Sequence, residues 1–192
     1  MTLFKNKYRI ESMRLKGYDY STPGEYFVTI CTKWRICWFG EIEEGKMSLS
    51  EIGSIVAGEW MRTPLIRPNV RLDEWCVMPN HFHGIVVIDE KKGGVEASEG
   101  LLEQSLVETH SSASRQRNTT QRINTFGPQR HNLSSIIRGF KAAATTRIHS
   151  AGYNDFKWQS LFHDHIIRDE DELNRIRDYI INNPLNWQSD RN

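Results

Sequence analysis

The segment Val77–Glu90, VMPNHFHGIVVIDE, decides how this chain is read. It runs into the β-branched stretch Ile85-Val86-Val87-Ile88, yet just before that it sets His81 and His83 on either side of Phe82. In a strand, residues i and i+2 share a face. The two imidazoles therefore stand side by side while Phe82 turns the other way and can fill a core. The preceding run Val70–Met78 is also strand-like, and the two join at Pro79-Asn80 as an expected antiparallel hairpin. Two imidazoles on a rigid element make a natural half of a metal site. The pattern is common, however, and equally suits partly exposed histidines or a histidine hydrogen-bonded in a core. A second His-x-His, His163 and His165, would complete a four-histidine zinc site only if the two strands met in register. A cupin arrangement does not fit, because Val87 and Ile88 occupy the places of its glutamate.

Working outward, Glu25–Thr32 (EYFVTICT) reads as a strand after Pro23-Gly24. Residues 35–50 form a second extended piece that turns at Glu44-Gly45. Ser50 caps a helix to about Met61 with Ile52, Ile55, Val56 and Trp60 on one face, and Pro64 and Pro68 are expected to end it. The segment Asn132–Gly152 is an amphipathic helix built on Leu133, Ile136, Ile137, Phe140 and Ala144, with Arg138, Lys141 and Arg147 away from that stripe. Phe162–Arg168 reads as a strand. The last element is a helix that Asp169 caps, that acidic residues favour in the first turn, and that Pro184 stops. The order predicts an α+β fold, an antiparallel sheet covered by helices on one side.

A length of 192 residues suits one domain, here 1–192, and the formal net charge of +1 does not advertise a polyanion partner. The charge is uneven: residues 1–18 carry Lys5, Lys7, Arg9, Arg14 and Lys16 against Glu11 alone. This basic arm either meets phosphate or is a solvated terminus. Residues 91–131 are rich in Gly, Ser, Thr, Gln and Arg and read as a flexible insertion or flap. Cys31, Cys37 and Cys76 lack CxxC spacing and are expected as small core residues in a reducing compartment. No apolar run reaches the ~20 residues of a membrane span, and no signal segment is evident, so a cytoplasmic location and no membrane partner are expected.

In the last helix, Leu173, Ile176 and Ile180 define the buried stripe. Tyr179 and Asn183 are four apart on one flank of it. By the 3.6-residue period Asn183 falls ~50° and Tyr179 ~90° from the stripe's centre, boundary positions open to a site or to ordinary amphipathic packing. Because Asn183 precedes Pro184, it is expected to leave the helical region.

YFVTICT, MPNHFHGIVVI, IIRGFKAAATTRI, WQSLFHDHIIRDEDEL and YIINNPLNW occur in the order found in REP-associated tyrosine transposases. Over about Pro23 to Trp187, apart from 91–131, the chain resembles this family of the HUH single-tyrosine (IS200-like) transposases. The resemblance implies a ferredoxin-like antiparallel sheet packed with helices. It implies a metal-dependent single-stranded DNA endonuclease and strand transferase that binds hairpin DNA of a palindromic repeat as a monomer or homodimer. By the same resemblance Tyr179 would be the nucleophile, giving a covalent 5′-phosphotyrosine, and His81, His83 and Asn183 would be metal ligands. Two imidazoles alone suit zinc, iron or nickel; the resemblance implies Mg2+ or Mn2+. Lys141, Arg138, Arg147 and the basic arm are candidates for phosphate contact. The alternative is a hairpin-DNA-binding protein that has lost cleavage.

Overall fold

A computed structural model describes Leu15, residues 17–90 and residues 132–187, with the backbone of two short paired strands, β1 (Leu3–Phe4) and β2 (Lys7–Tyr8). The chain divides into two compact units, Met1–Glu90 with Gln129–Asn192, and Lys91–Pro128. The insertion expected at 91–131 lies outside the described residues, as do the side chains of the basic arm.

The central sheet has the order β6-β7-β3-β8, formed by β6 (Val70–Met78), β7 (His81–Ile88), β3 (Gly24–Cys31) and β8 (His163–Ile167). Every neighbouring pair is antiparallel. Two helices complete a βαββαβ sequence: α1 (Glu51–Met61) between β3 and β6, and α3 (Leu133–Ser150) between β7 and β8. This is the ferredoxin-like arrangement. A hairpin, β4 (Gly40–Glu43) with β5 (Lys46–Leu49), is inserted before α1. Its turn falls at Glu44 (φ 48°) and Gly45 (φ 74°), consecutive positive φ values of the kind a tight two-residue hairpin demands.

Local chemistry sets the boundaries. The side chains of Ser50, Asn132 and Asp169 accept from the backbone N–H groups of Gly53, Ser135 and Glu172, capping α1, α3 and α4 (Glu170–Asn182). Pro64 does not simply end the first helix. It sits in the first turn of a short second one, α2 (Thr63–Ile66), where its missing N–H costs nothing. Pro184 likewise opens a 3-10 turn, Pro184–Asn186.

The sheet is covered on both faces, which corrects the expectation of helices on one side. Tyr26, Val28 and Ile30 of β3 and Phe82, Val86 and Ile88 of β7 pack in one core with Val56 and Trp60 of α1 and Ile136, Ile137, Phe140 and Ala144 of α3. The alternate residues Phe27, Ile85, Val87 and Ile167 meet Leu173, Ile176 and Ile180 of α4. The sequence reading fails here because β7 is buried at all eight positions, a demand on both faces that a pattern of helices along the chain does not reveal. The cysteines also part company: Cys31 is buried, Cys76 half-buried, and Cys37 exposed. Among the described residues no helix is long and apolar enough to cross a membrane.

Gly84 is required by close approach. A Cβ there would lie 2.7 Å from the Trp60 indole and 2.9 Å from the Phe82 ring. The Trp60 and Phe82 rings in turn meet at 4.6 Å, tilted by 56°, and both are fully buried. Gly84→Ala is expected to destabilise by about 1–3 kcal/mol through overpacking, read as a lowered Tm in thermal denaturation. An unchanged Tm would mean that this core has slack the packing does not show.

Candidate active site

β7 carries the site and β3 completes it. His81 and His83 point to the α4 side of the sheet and are buried, with their Nε2 atoms 2.9 Å apart. Phe82, between them, is buried in the opposite core against Trp60 and Phe140. The register sets Cys31 opposite His81 and Thr29 opposite His83. Each ring is anchored through its other nitrogen: His81 Nδ1 to Asn80 Oδ1 at 2.7 Å, and His83 Nδ1 to Thr29 Oγ1 at 2.9 Å.

These partners assign the protons. An amide oxygen only accepts, so His81 Nδ1 donates to Asn80 and its Nε2 holds a lone pair. His83 Nε2 then donates to His81 Nε2, and His83 Nδ1 accepts from the Thr29 hydroxyl. A hydroxyl both donates and accepts. Rotating Thr29 and moving one proton from His83 Nε2 to Nδ1 would turn the pair into two lone pairs aimed at one point. Anchoring the far ring nitrogen is how ligating histidines are held. The 2.9 Å separation is close to that of neighbouring ligands around an octahedral ion with ~2.1 Å bonds.

α4 brings the other groups. Tyr179 is 45% exposed, and its hydroxyl lies 3.4 Å from His83 Nε2. Its ring meets His83 at 5.3 Å and Phe27 edge-on at 6.1 Å, and Phe27 stacks on His83 at 5.4 Å. Eight residues further on, Trp187 packs against His81 at 5.9 Å. Asn183, four residues from each of these in the chain, is 2% exposed, and its Oδ1 is buried without a hydrogen-bond partner. Contrary to expectation, Asn183 keeps helical dihedrals (φ −58°, ψ −41°) despite Pro184, so the flank from Tyr179 continues through it unbroken. Among the described residues no cluster of three or more His, Cys, Asp and Glu could hold a metal. An amide oxygen is therefore the donor to consider beside the two imidazoles, and an orphaned buried Oδ1 fits a cation.

Two polar clamps fix α4 on the sheet. Arg177 makes a bidentate pair with Asp73 of β6 (2.6 and 2.8 Å), beside the bulge between Leu72 and Trp75. At the other edge His165 Nε2 donates to Glu172 at 2.8 Å. His165 thus serves the helix and not the histidine pair. β8 pairs with β3, so β3 separates His163 and His165 from β7, which rules against a four-histidine site. The three α3 cations lie on the helix packed against the opposite face. Arg138 is exposed, Lys141 donates to the Gln159 carbonyl, and Arg147 pairs with buried Glu59 at 2.8 Å.

Thr29, Asn80, Phe27 and Trp187 were not singled out in the sequence. Thr29 had a signal, a polar residue amid an apolar strand, but only the register links it to His83. The others are visible only once the elements meet.

Comparisons place the fold in context. The chain is 37% identical over 181 residues to a Haemophilus influenzae protein named only "Uncharacterized protein", covering 94% of this chain and 91% of that one. It belongs to that protein's family. No family model matches it. A solved structure of a REP-associated tyrosine transposase bound to a REP hairpin shares the fold, with a TM-score of 0.52 and 18% identity over 90% of this chain and 73% of that one.

Burial pushes the His81 pKa down to about 4, helped by the charge of Arg35. It pushes His83 down to about 3, helped by His81 and then Arg35. In the unfolded chain both titrate near 6.5. Below that pH the unfolded state binds protons that the native state refuses, so stability falls as pH drops from about 6.5 toward 4. Denaturant unfolding across this window is expected to show the loss in the wild type and a shallower slope in His81→Gln/His83→Gln. Equal slopes would place the acid sensitivity elsewhere.

Proposed function

We propose that the protein is a metal-dependent single-stranded DNA endonuclease and strand transferase, a transposase that acts on hairpin DNA through a covalent 5′-phosphotyrosine. One observation carries the reading: the hydroxyl of Tyr179, on a clamped helix, stands 3.4 Å from the Nε2 of a buried, paired histidine. The motif order supports it, as does the fold shared with a hairpin-bound tyrosine transposase.

The chemistry explains why a tyrosine needs such neighbours. An unperturbed phenol is only ~0.1% ionised at pH 7, which adds roughly 4 kcal/mol to the barrier of an attack by its oxygen. A divalent ion, Mg2+ or Mn2+, bound by His81, His83 and Asn183 would supply Lewis-acid polarisation of the phosphate. The protein's own residues do the rest. Asn80 and Thr29 hold the two rings, Phe27 and His83 fix the tyrosine ring, and the clamps at Asp73 and Glu172 hold the helix. The Tyr179 oxygen forms a bond to phosphorus as the bond from phosphorus to O3′ breaks. The phenol proton is lost, and the departing O3′ takes up a proton as a free hydroxyl. Rejoining reverses these steps without ATP, because the phosphotyrosine keeps the bond.

The test is to incubate the protein with manganese and single-stranded hairpins from its genomic flanks and run the products on a denaturing gel. Wild type is expected to give a covalent adduct that Tyr179→Phe lacks entirely and that His81→Ala reduces at least about a hundredfold, the scale of losing a charge-stabilising group. An adduct that persists in Tyr179→Phe rules out this nucleophile. Binding without any adduct, across several hairpins and metals, would instead indicate a hairpin-binding protein that no longer cleaves.

Asn183 gives a separate check. Asn183→Leu removes an unsatisfied buried oxygen, so the metal-free Tm is expected to hold or rise. Calorimetric manganese affinity should fall about tenfold or more, the scale of disturbing a ligand set. Unchanged affinity would exclude Asn183 as a ligand.

A further inference from the structure

We propose that the turn Lys33–Arg35 is a stacking platform for one unpaired DNA base beside the scissile phosphate. The inference rests on the reading of the site as a single-stranded DNA nuclease and adds a specificity element to it.

Trp34 is 78% exposed, and its backbone is left-handed (φ 58°, ψ 21°), as is that of Arg35 (φ 54°). Two consecutive non-glycine residues in that region, one of them bulky, persist only where the surroundings over-determine the turn. They do so here. The buried Thr32 hydroxyl bonds to the carbonyls of Ile36 (2.8 Å) and Asn80 (3.0 Å), and Lys33 N–H donates to Lys157 O at 2.8 Å. The fold thus fixes a large aromatic ring in water, where it packs no core. Such strain is informative because it maintains an arrangement that folding alone does not require.

The turn's position indicates what it serves. It follows directly on β3, whose last residue, Cys31, is paired with His81. Thr32 is bonded to Asn80, the residue that anchors His81. On its far side the turn borders an open groove of about 650 Å³, where Lys33, Trp34, His149, Lys157 and Trp158 line the wall and no acidic residue does. The Lys33 ammonium lies 4.1 Å from the centre of the Trp34 ring. An aromatic face flanked by cations, next to a phosphate-directed site, matches the way single strands are held: bases stack on rings while Lys and Arg follow the backbone. Inside a duplex both faces of each base are covered by stacked neighbours, so the occupant is an unpaired nucleotide.

The test compares wild type, Trp34→Ala and Trp34→Phe in fluorescence anisotropy at fixed salt. The probes are a hairpin with a short single-stranded flank and the same hairpin blunt-ended. Trp34→Ala is expected to lose about 5- to 150-fold in affinity for the flanked probe, the range for one stacked base. It should lose nothing on the blunt one, and Trp34→Phe should retain most of the binding. Because the ring is exposed, the variants are expected to melt with the wild type. If Trp34→Ala matches the wild type on the flanked probe, or loses equally on both, the platform is overturned while a Tyr179-dependent adduct would leave the nuclease reading standing. If the wild type binds neither probe, both readings fall together.

Discussion

Everything in this structure follows from a strand that must be dry on both sides. β7 is buried at all eight positions, so one helical layer cannot satisfy it. α1 and α3 cover the face that carries Phe82, and α4 must cover the face that carries the histidines. The helix needed for burial is therefore the helix that delivers Tyr179 and Asn183. Structure and chemistry share one element, which makes the placement of α4 the quantity to which the site is most sensitive. Its apolar anchor is small, chiefly Leu173, Ile176 and Ile180, and the polar clamps at Asp73 and His165 correct its angle on either edge.

The site is also where the local rules are broken. Two neutral imidazoles meet nitrogen to nitrogen in a buried place, an amide oxygen at Asn183 lacks a partner, and two residues in the turn after β3 hold left-handed backbones. Each is unfavourable alone, and all three lie along one end of β3 and β7 or on the helix against it. Natural folds concentrate such conflicts where function demands them. Elsewhere the chain is locally consistent, with side-chain caps on α1, α3 and α4 and a glycine beneath Trp60.

Much of this was legible in the sequence. The strand Gly24–Cys31, the hairpin at Pro79-Asn80 and the three capped helices follow from β-branched runs, turn residues and periodicity. The pairing of His81 with His83 follows from the two-residue period of a strand. What the sequence withheld depended on register and on layer. Thr29 becomes a partner of His83 only through cross-strand pairing, and His165 is separated from the pair because β3 intervenes. The α4 cover was missed because a fully buried strand does not say from which side its second layer comes. The proline rules were right about the end of α1 at Met61 but not about the short helix that Pro64 then opens, and the steric bias on the residue before a proline did not take Asn183 out of helical dihedrals.

The most direct measurement is nitrogen NMR of the His81 and His83 imidazoles at neutral pH, before and after addition of magnesium. The hydrogen-bond partners assign a proton to Nδ1 of His81 and to Nε2 of His83 in the metal-free protein. On adding the ion, His83 is expected to move its proton to Nδ1, toward Thr29, leaving both Nε2 atoms as donors to one cation. Tautomers that stay unchanged in millimolar magnesium and in zinc would contradict the claim that this buried pair is built to hold a metal beside Tyr179.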